Sequence, residues 1–231
     1  MGNLRKSTYF TKGELLLWFI SVFAISLSFV CFDRENYLTL TASLIGVTSL
    51  IFCAKGNPFG QLLMVVFSLL YGVISFKFSY YGEMLTYLGM TGPMAVFALI
   101  SWLRNPYNGS RAQVEVNRLN RREIVVMLAA SAIVTGCFYL ILRAFDTANL
   151  IPSTLSVTTS FLAVYLTFRR SAFYAIAYAA NDMVLVYLWL LASQSEMSYL
   201  SVVICFLVFW VNDLYGFMNW SAMLRRQGAA R

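Results

Sequence analysis

Polar residues in this chain come in short clusters, and the stretches between them are apolar runs long enough to cross a bilayer. Such a crossing needs about 20 residues at a rise of about 1.5 Å each. Windows of about 19 residues place eight runs near 14–32, 37–54, 58–76, 84–103, 123–145, 151–168, 171–192 and 198–221. Each run reads as a membrane-spanning helix. Little chain is left over for a soluble domain.

The seventh run carries a carboxylate in its middle. At about 100° per residue, Tyr174, Tyr178, Asn181, Asp182, Leu185 and Trp189 share one arc of about 100°, and the rest of the run is Ala, Val, Leu, Ile and Met. A carboxylate at mid-depth costs about 3 kcal/mol even on a lenient insertion scale. This face is therefore expected to meet protein or water and to line a substrate pathway. The eighth run repeats the theme with Asn212, Asp213 and Asn219 beside Trp210, Gly216, Phe217 and Trp220. Asp213 lies nearer the end of its run, where a pairing with Arg225 or Arg226 is an alternative to a site role.

The remaining runs are less polar. The first holds no ionisable residue in its middle and reads as peripheral. Its basic flank and apolar core resemble a signal peptide, but no small-residue cleavage site precedes Asp33, so a retained span is expected. The second and sixth are rich in Ser and Thr, which usually bond back to their own helix. The third offers Gln61 near one rim, either as a substrate ligand or as a helix–helix contact. The fourth carries Tyr87 and Thr91 on one side, with Gly92-Pro93 near its middle, where a proline-induced kink is expected.

Composition agrees with this pattern: 60% of the 231 residues are apolar and 12% are charged, against about 25% charged in soluble domains. The net charge of +7 does not indicate nucleic acid, because the basic residues sit in separate short loops. With the N-terminus inside, Arg5, Lys6, Lys12, Lys55, Arg104, Arg111, Arg118, Arg121, Arg122, Arg169, Arg170, Arg225, Arg226 and Arg231 fall on one side, and only Arg34, Lys77 and Arg143 on the other. That asymmetry predicts cytoplasmic termini. The chain has no histidine, and Cys31, Cys53, Cys137 and Cys205 show no paired spacing. No metal site, cofactor or enzymatic nucleophile–base pair is expected.

Laying Glu83-Met84 over Glu196-Met197 aligns two three-span blocks, each Ser/Thr-rich at its start, turning through basic residues, and ending at Trp102 or Trp220. One intervening span gives both blocks the same orientation, so their axis should run along the membrane normal, with a cavity on it. The expected fold is an all-α integral membrane protein of eight transmembrane helices: two parallel three-helix bundles joined by a linking helix, plus one extra N-terminal helix. The expected divisions are 1–36, 37–104, 105–150, 151–223 and a tail at 224–231.

From about Ser43 to Trp220 the chain resembles the PnuC family of bacterial vitamin transporters, which look like two SWEET-type three-helix bundles. The resemblance rests on Gly72 to Tyr87 with Tyr81-Gly82-Glu83, on the aromatic-aromatic-Asn run of the seventh span, and on Tyr215-Gly216-Phe217-x-x-Trp220. It implies that Tyr174, near Tyr178, and Asn181 stand where the family clasps a flat ring, and that a family Asn in the first repeat is replaced by Phe67 or Ser68. It also implies facilitated diffusion of an unphosphorylated vitamin, trapped by a cytoplasmic kinase, in the bacterial inner membrane. Nicotinamide riboside leads, with thiamine or riboflavin as alternatives. A permanent cation suits a site of Tyr174, Tyr178 and Trp189 neutralised by Asp182 or Asp213, with Asn181, Asn212 and Asn219 bonding an amide or ribose. With no Lys or Arg deep in any span, a phosphate has no partner there. A proton-coupled carrier using Asp182, a SWEET-type sugar carrier and a ligand-free scaffold remain as other readings. A homo-oligomer is compatible with the sequence.

Overall fold

The structure, a computed structural model, describes residues 9–77, 80–147 and 149–229; Arg5, Lys6 and Arg231 lie outside them. Among the described residues, eight helices are long and apolar enough to span a membrane: α1 (Lys12–Phe32), α2 (Tyr37–Ala54), α3 (Pro58–Lys77), α4 (Tyr81–Arg104), α5 (Arg121–Ala144), α6 (Leu150–Phe168), α7 (Tyr174–Ser193) and α8 (Leu200–Ala229). α2 packs on α3, α3 on α4, α4 on α6, α6 on α7, α7 on α8, and α8 back on α2. Six helices thus close into a ring around one axis. α1 lies outside it in the groove between α2 and α8, and α5 lies outside against α6.

The ring has a pseudo-two-fold, visible in hydrogen bonds. Trp102 Nε1 donates to Thr167 O at 2.9 Å and Ser101 Oγ to Phe168 O at 2.9 Å; Trp220 Nε1 donates to Cys53 O at 2.8 Å and Asn219 Nδ2 to Ala54 O at 2.6 Å. Each block's last helix thereby grips the end of the other block's first. The turns after α2 and α6 match residue for residue: Gly56 and Arg170 both adopt positive φ, +69° and +55°. That conformation costs a non-glycine residue strain, so its recurrence at an arginine marks a turn imposed by the packing around it.

The correspondence extends to the outer helices. α1 opens with a capping box, Thr11 to Glu14, and α5 with another, Asn120 to Glu123; each satisfies two orphan N–H groups at the helix start. Glu14 then pairs with Lys55 at the end of α2, and Glu123 with Arg169 at the end of α6. Farther along, Trp18 bonds Thr48, and Thr135 bonds Thr158. The first span and the linking span therefore stand at equivalent places, each buttressing the first helix of its own block.

Three features differ from the sequence reading. α4 does not simply kink at Pro93: a π-helical turn, Tyr87–Thr91, precedes it, and Gly92 N–H bonds Tyr87 O. Proline offers no N–H to the ladder, and widening the previous turn turns Tyr87 and Thr91 inward. The polar segment before α5 contains a hairpin, β1 (Pro106–Tyr107) with β2 (Ser110–Val114), turned by Asn108-Gly109, whose positive φ values suit such a loop. Beyond it, Val114 N–H bonds Gly56 O and Asn117 N–H bonds Arg170 O, so the segment straps the two equivalent turns together. Finally, α8 continues past the expected end at 221 because Gln227 accepts from Val116 N–H and donates to Val114 O.

Candidate transport site

The cavity on the ring axis is lined by all six ring helices: Leu50 from α2, Met64 and Phe67 from α3, Tyr87 and Thr91 from α4, Ser160 from α6, Tyr178, Asn181 and Asp182 from α7, and Phe206, Phe209 and Asp213 from α8. Among the described residues no Lys or Arg lines it. Its volume is about 20 Å³, room for about one water, whereas small-molecule pockets run to roughly 300 Å³ and more. This conformation is therefore closed on a site that must widen to admit cargo.

One wall is polar. Asn181 Oδ1 accepts from Thr159 Oγ1 at 2.8 Å and from Ser160 Oγ at 3.0 Å, which fixes its amide at the cavity edge. Asp182 and Asp213 are each 4% exposed, and their carboxyl groups lie within hydrogen-bonding reach of each other. Asp182 Oδ2 has no partner among the described residues. Asp213 thus pairs with Asp182 instead of Arg225 or Arg226. The opposite wall is apolar and aromatic: Phe67 lies edge-on to Tyr87 at 5.9 Å and to Phe209 at 5.6 Å between ring centroids. By the residue step that carries Gly56 to Arg170, Met64 corresponds to Tyr178, Phe67 to Asn181 and Ser68 to Asp182. The second repeat supplies the polar groups, and the first supplies flat packing surface.

The cavity is shut at both ends. Toward the basic end, the indoles of Trp102 and Trp220 meet at 5.2 Å, and Tyr174 sits edge-on to Trp220 at 4.8 Å. Both tryptophans are fully buried. Toward the other end, Trp189 contacts Tyr80 at 4.9 Å, Tyr199 at 5.5 Å and Tyr71 at 6.3 Å. Tyr80, outside the spans, has its phenol pushed up mainly by burial.

The residues singled out from the sequence therefore divide into layers. Tyr87, Thr91, Tyr178, Asn181, Asp182 and Asp213 are on the cavity wall. Tyr174 and Trp189 belong to the aromatic closures below and above it. Gln61 is buried against Cys53, donating to its Sγ at 3.2 Å, and Asn219 is spent on Ala54 O. Asn212 is turned outward, its amide donating to Ser21 Oγ of α1 at 2.9 Å. A polar stripe in the first span, Glu14, Ser21 and Ser28 at seven-residue steps and all buried, signals this contact in retrospect. Of the apolar wall, Phe67 was marked only by the family resemblance, as one of two candidates for a replaced Asn, while Phe206 and Phe209 carried no signal distinct from ordinary lipid-facing phenylalanines.

A ring of transmembrane helices around a mid-depth polar site, closed at either end by an aromatic layer, defines a multi-pass membrane transport protein. Comparison with known proteins narrows this. A family model described as nicotinamide mononucleotide transporter matches residues 36–222, and the chain belongs to that family. It is 23% identical over 215 residues to the nicotinamide riboside transporter PnuC of Neisseria mucosa, covering 91% of this chain and 81% of the relative. Its fold matches a crystal structure described as the vitamin B3 transporter PnuC, with a TM-score of 0.82, 22% identity and 94% of each chain covered. The matched region contains the Ser43–Trp220 stretch that resembles the PnuC family.

Proposed function

We propose that this protein mediates facilitated uptake of an unphosphorylated cationic vitamin, nicotinamide riboside first, with subsequent phosphorylation by a cytoplasmic kinase as the trap. The observation that carries this reading is the paired carboxyl groups of Asp182 and Asp213 beside Tyr87 and Tyr178 on the cavity wall. A pyridinium ring placed there gains cation–π attraction of about 2 kcal/mol when desolvated and an ionic partner. The aromatic rings of the opposite wall suit its flat face, and Asn181 and Ser160 suit a carboxamide or ribose.

Although the family is described by the mononucleotide, the same wall argues for the riboside. A phosphate group would enter a cavity with two carboxyl groups and, among the described residues, no lining Lys or Arg, leaving a buried anion without a partner, at a cost of several kcal/mol. Thiamine, also a permanent cation, is the second reading that the carboxyl pair favours; riboflavin, which is neutral, draws no support from it.

The division into 1–36, 37–104, 105–150, 151–223 and 224–231, cytoplasmic termini, and residence in a bacterial inner membrane complete the proposal. The clustering of the turns after α2, α4 and α6 with the end of α8 at one basic face supports that orientation. The test is uptake into kinase-free proteoliposomes. Labelled nicotinamide riboside should enter and be competed by excess unlabelled riboside, while nicotinamide mononucleotide and glucose should compete at least about 100-fold less well. Equal competition by the mononucleotide would refute the substrate assignment.

A further inference from the structure

The basic face carries an apolar groove that recurs in both halves of the fold. In the first half it lies between α1 and α2, lined by Phe10, Leu15, Trp18 and Phe52, with a volume of about 160 Å³. In the second it lies between α5 and α6, lined by Leu119, Ile124, Met127 and Leu166, with a volume of about 390 Å³. The step that carries Glu14 to Glu123 also carries Phe10 to Leu119, Leu15 to Ile124 and Trp18 to Met127. The step from Gly56 to Arg170 carries Phe52 to Leu166. A thioether in place of an indole fills less of the second groove.

The two mouths differ in charge. In the first half Tyr9 stands where Arg118 stands in the second, and its hydroxyl accepts from Asn57 Nδ2 at 2.8 Å. Gly56 stands in place of Arg170, and Lys55 is spent on Glu14. The second groove instead shares Asn117, Arg118 and Leu224 with a polar pocket of about 280 Å³ against the end of α8. That pocket holds Arg118, which is exposed, and Arg170, which is half-buried, against one carboxylate, Glu115. Among the described residues neither arginine is ion-paired. Arg170 Nε is buried without a hydrogen bond among those residues. Burial, and Arg169 beside it, push the Arg170 guanidinium below the usual arginine range. Two guanidinium groups with N–H bonds to spare suit the oxygens of a phosphate.

We propose that the second groove and its pocket form a binding site for an anionic phospholipid of the leaflet at the basic face, with the lipid phosphate between Arg118 and Arg170 and an acyl chain along Met127 and Leu166. Basic loops attract an anionic leaflet diffusely. Here a groove for the chain and a cationic pocket for the headgroup are joined, which defines one place on the surface. Asn117 N–H already bonds Arg170 O at 2.9 Å, so a phosphate held by Arg118 and Arg170 would fasten the strap to the α6–α7 turn a second time. The first half, with Tyr9 and Gly56 at the equivalent positions, has no such fastening.

The test is thermal unfolding of the purified full chain in an uncharged detergent, titrated with phosphatidylglycerol, phosphatidylcholine or glycerol 3-phosphate. Phosphatidylglycerol should raise the unfolding temperature, at a concentration at least about tenfold below that needed of the other two. Arg118→Gln with Arg170→Gln should raise that concentration about tenfold or more, and so should Met127→Trp, which copies the first groove. Arg225→Gln with Arg226→Gln, which removes two exposed charges from the same face, should change it less than about twofold. An equal loss in that control would mean diffuse attraction by the whole face, and phosphatidylcholine acting as well as phosphatidylglycerol would mean a groove blind to charge; either overturns the proposal. Glycerol 3-phosphate acting as well as the lipid would make the pocket a site for soluble anions and overturn it too. If the double or the tryptophan variant fails to fold, Arg118→Gln alone, at an exposed position, decides: unchanged selectivity for phosphatidylglycerol refutes the site.

Discussion

Asp182→Asn is expected to weaken binding of nicotinamide riboside, or of thiamine if that is the cargo, by between about tenfold and a hundredfold, while changing thermal stability little. Asparagine has nearly the same shape and its amide can donate a hydrogen bond to Asp213, so the fold loses at most about 1 kcal/mol. The ligand keeps Asp213 but loses one of the two carboxyl groups beside its charge, in a water-poor cavity where a close ion contact is worth about 1–3 kcal/mol. Equilibrium binding beside a melting curve separates the two effects. A variant that melts early and binds normally when folded would place Asp182 in the scaffold.

The second large effect concerns the closure at the basic end. Trp220 is fully buried, packs tilted against Trp102 and edge-on to Tyr174, and donates to Cys53 O. Trp220→Ala should cost about 3–5 kcal/mol of stability, visible as an earlier unfolding transition. Trp220→Phe keeps most of the packing but leaves a buried carbonyl short of its donor, a loss of about 1–3 kcal/mol borne only by the closed arrangement. The closed state should therefore open more often toward the basic face. Cys53, buried beside this contact, is a built-in reporter. With the exposed Cys31 and Cys137 replaced by Ser, its reaction with a thiol reagent should speed up about tenfold or more in the Phe variant. Unchanged reactivity would mean that the tryptophan pair does not hold that end shut. The pseudo-two-fold predicts a parallel result for Trp102→Phe, read at the turn beside Thr167.

Much of this architecture was legible in the sequence because a bilayer imposes a coarse rule. Apolar run length fixes the spans, and basic loops fix a common face. The arc from Tyr174 to Trp189 was legible too, since one helix must hide all its costly polar groups on one side; in the structure that arc runs along the ring axis from one aromatic closure to the other. Which helices become neighbours was not legible. Asn212 and Asp213 are adjacent on α8 and point about 100° apart, so one must leave the axis. Only the packing of α1 against α8, with Ser21 in place, decides that Asn212 is the one. The linking segment looked like plain polar loop because its hairpin is short and depends on a single Asn-Gly turn. The π turn at Tyr87–Thr91 was hidden because Gly92-Pro93 announces a break in the ladder without saying how the preceding turn absorbs it.

The apolar half of the cavity illustrates a further limit. Phe67 occupies the position equivalent to Asn181, yet as a residue type it is indistinguishable from the many phenylalanines that face lipid. The family resemblance left Phe67 and Ser68 open as the equivalent position; the register carried over from the turns at Gly56 and Arg170, a correspondence between two places in the fold, selects Phe67. The same register explains why the site is one-sided, and a one-sided site suits a ligand with one charged edge and one flat apolar face.

The most direct test is a structure of the protein with its cation bound. The account predicts that the ligand's aromatic ring lies inside the six-helix ring among Phe67, Tyr87 and Tyr178, each within about 6 Å, with the quaternary nitrogen beside the carboxyl groups of Asp182 and Asp213 and the cavity expanded around it. A cation seated outside that ring, or inside it with its charge directed away from both carboxyl groups, would contradict the account.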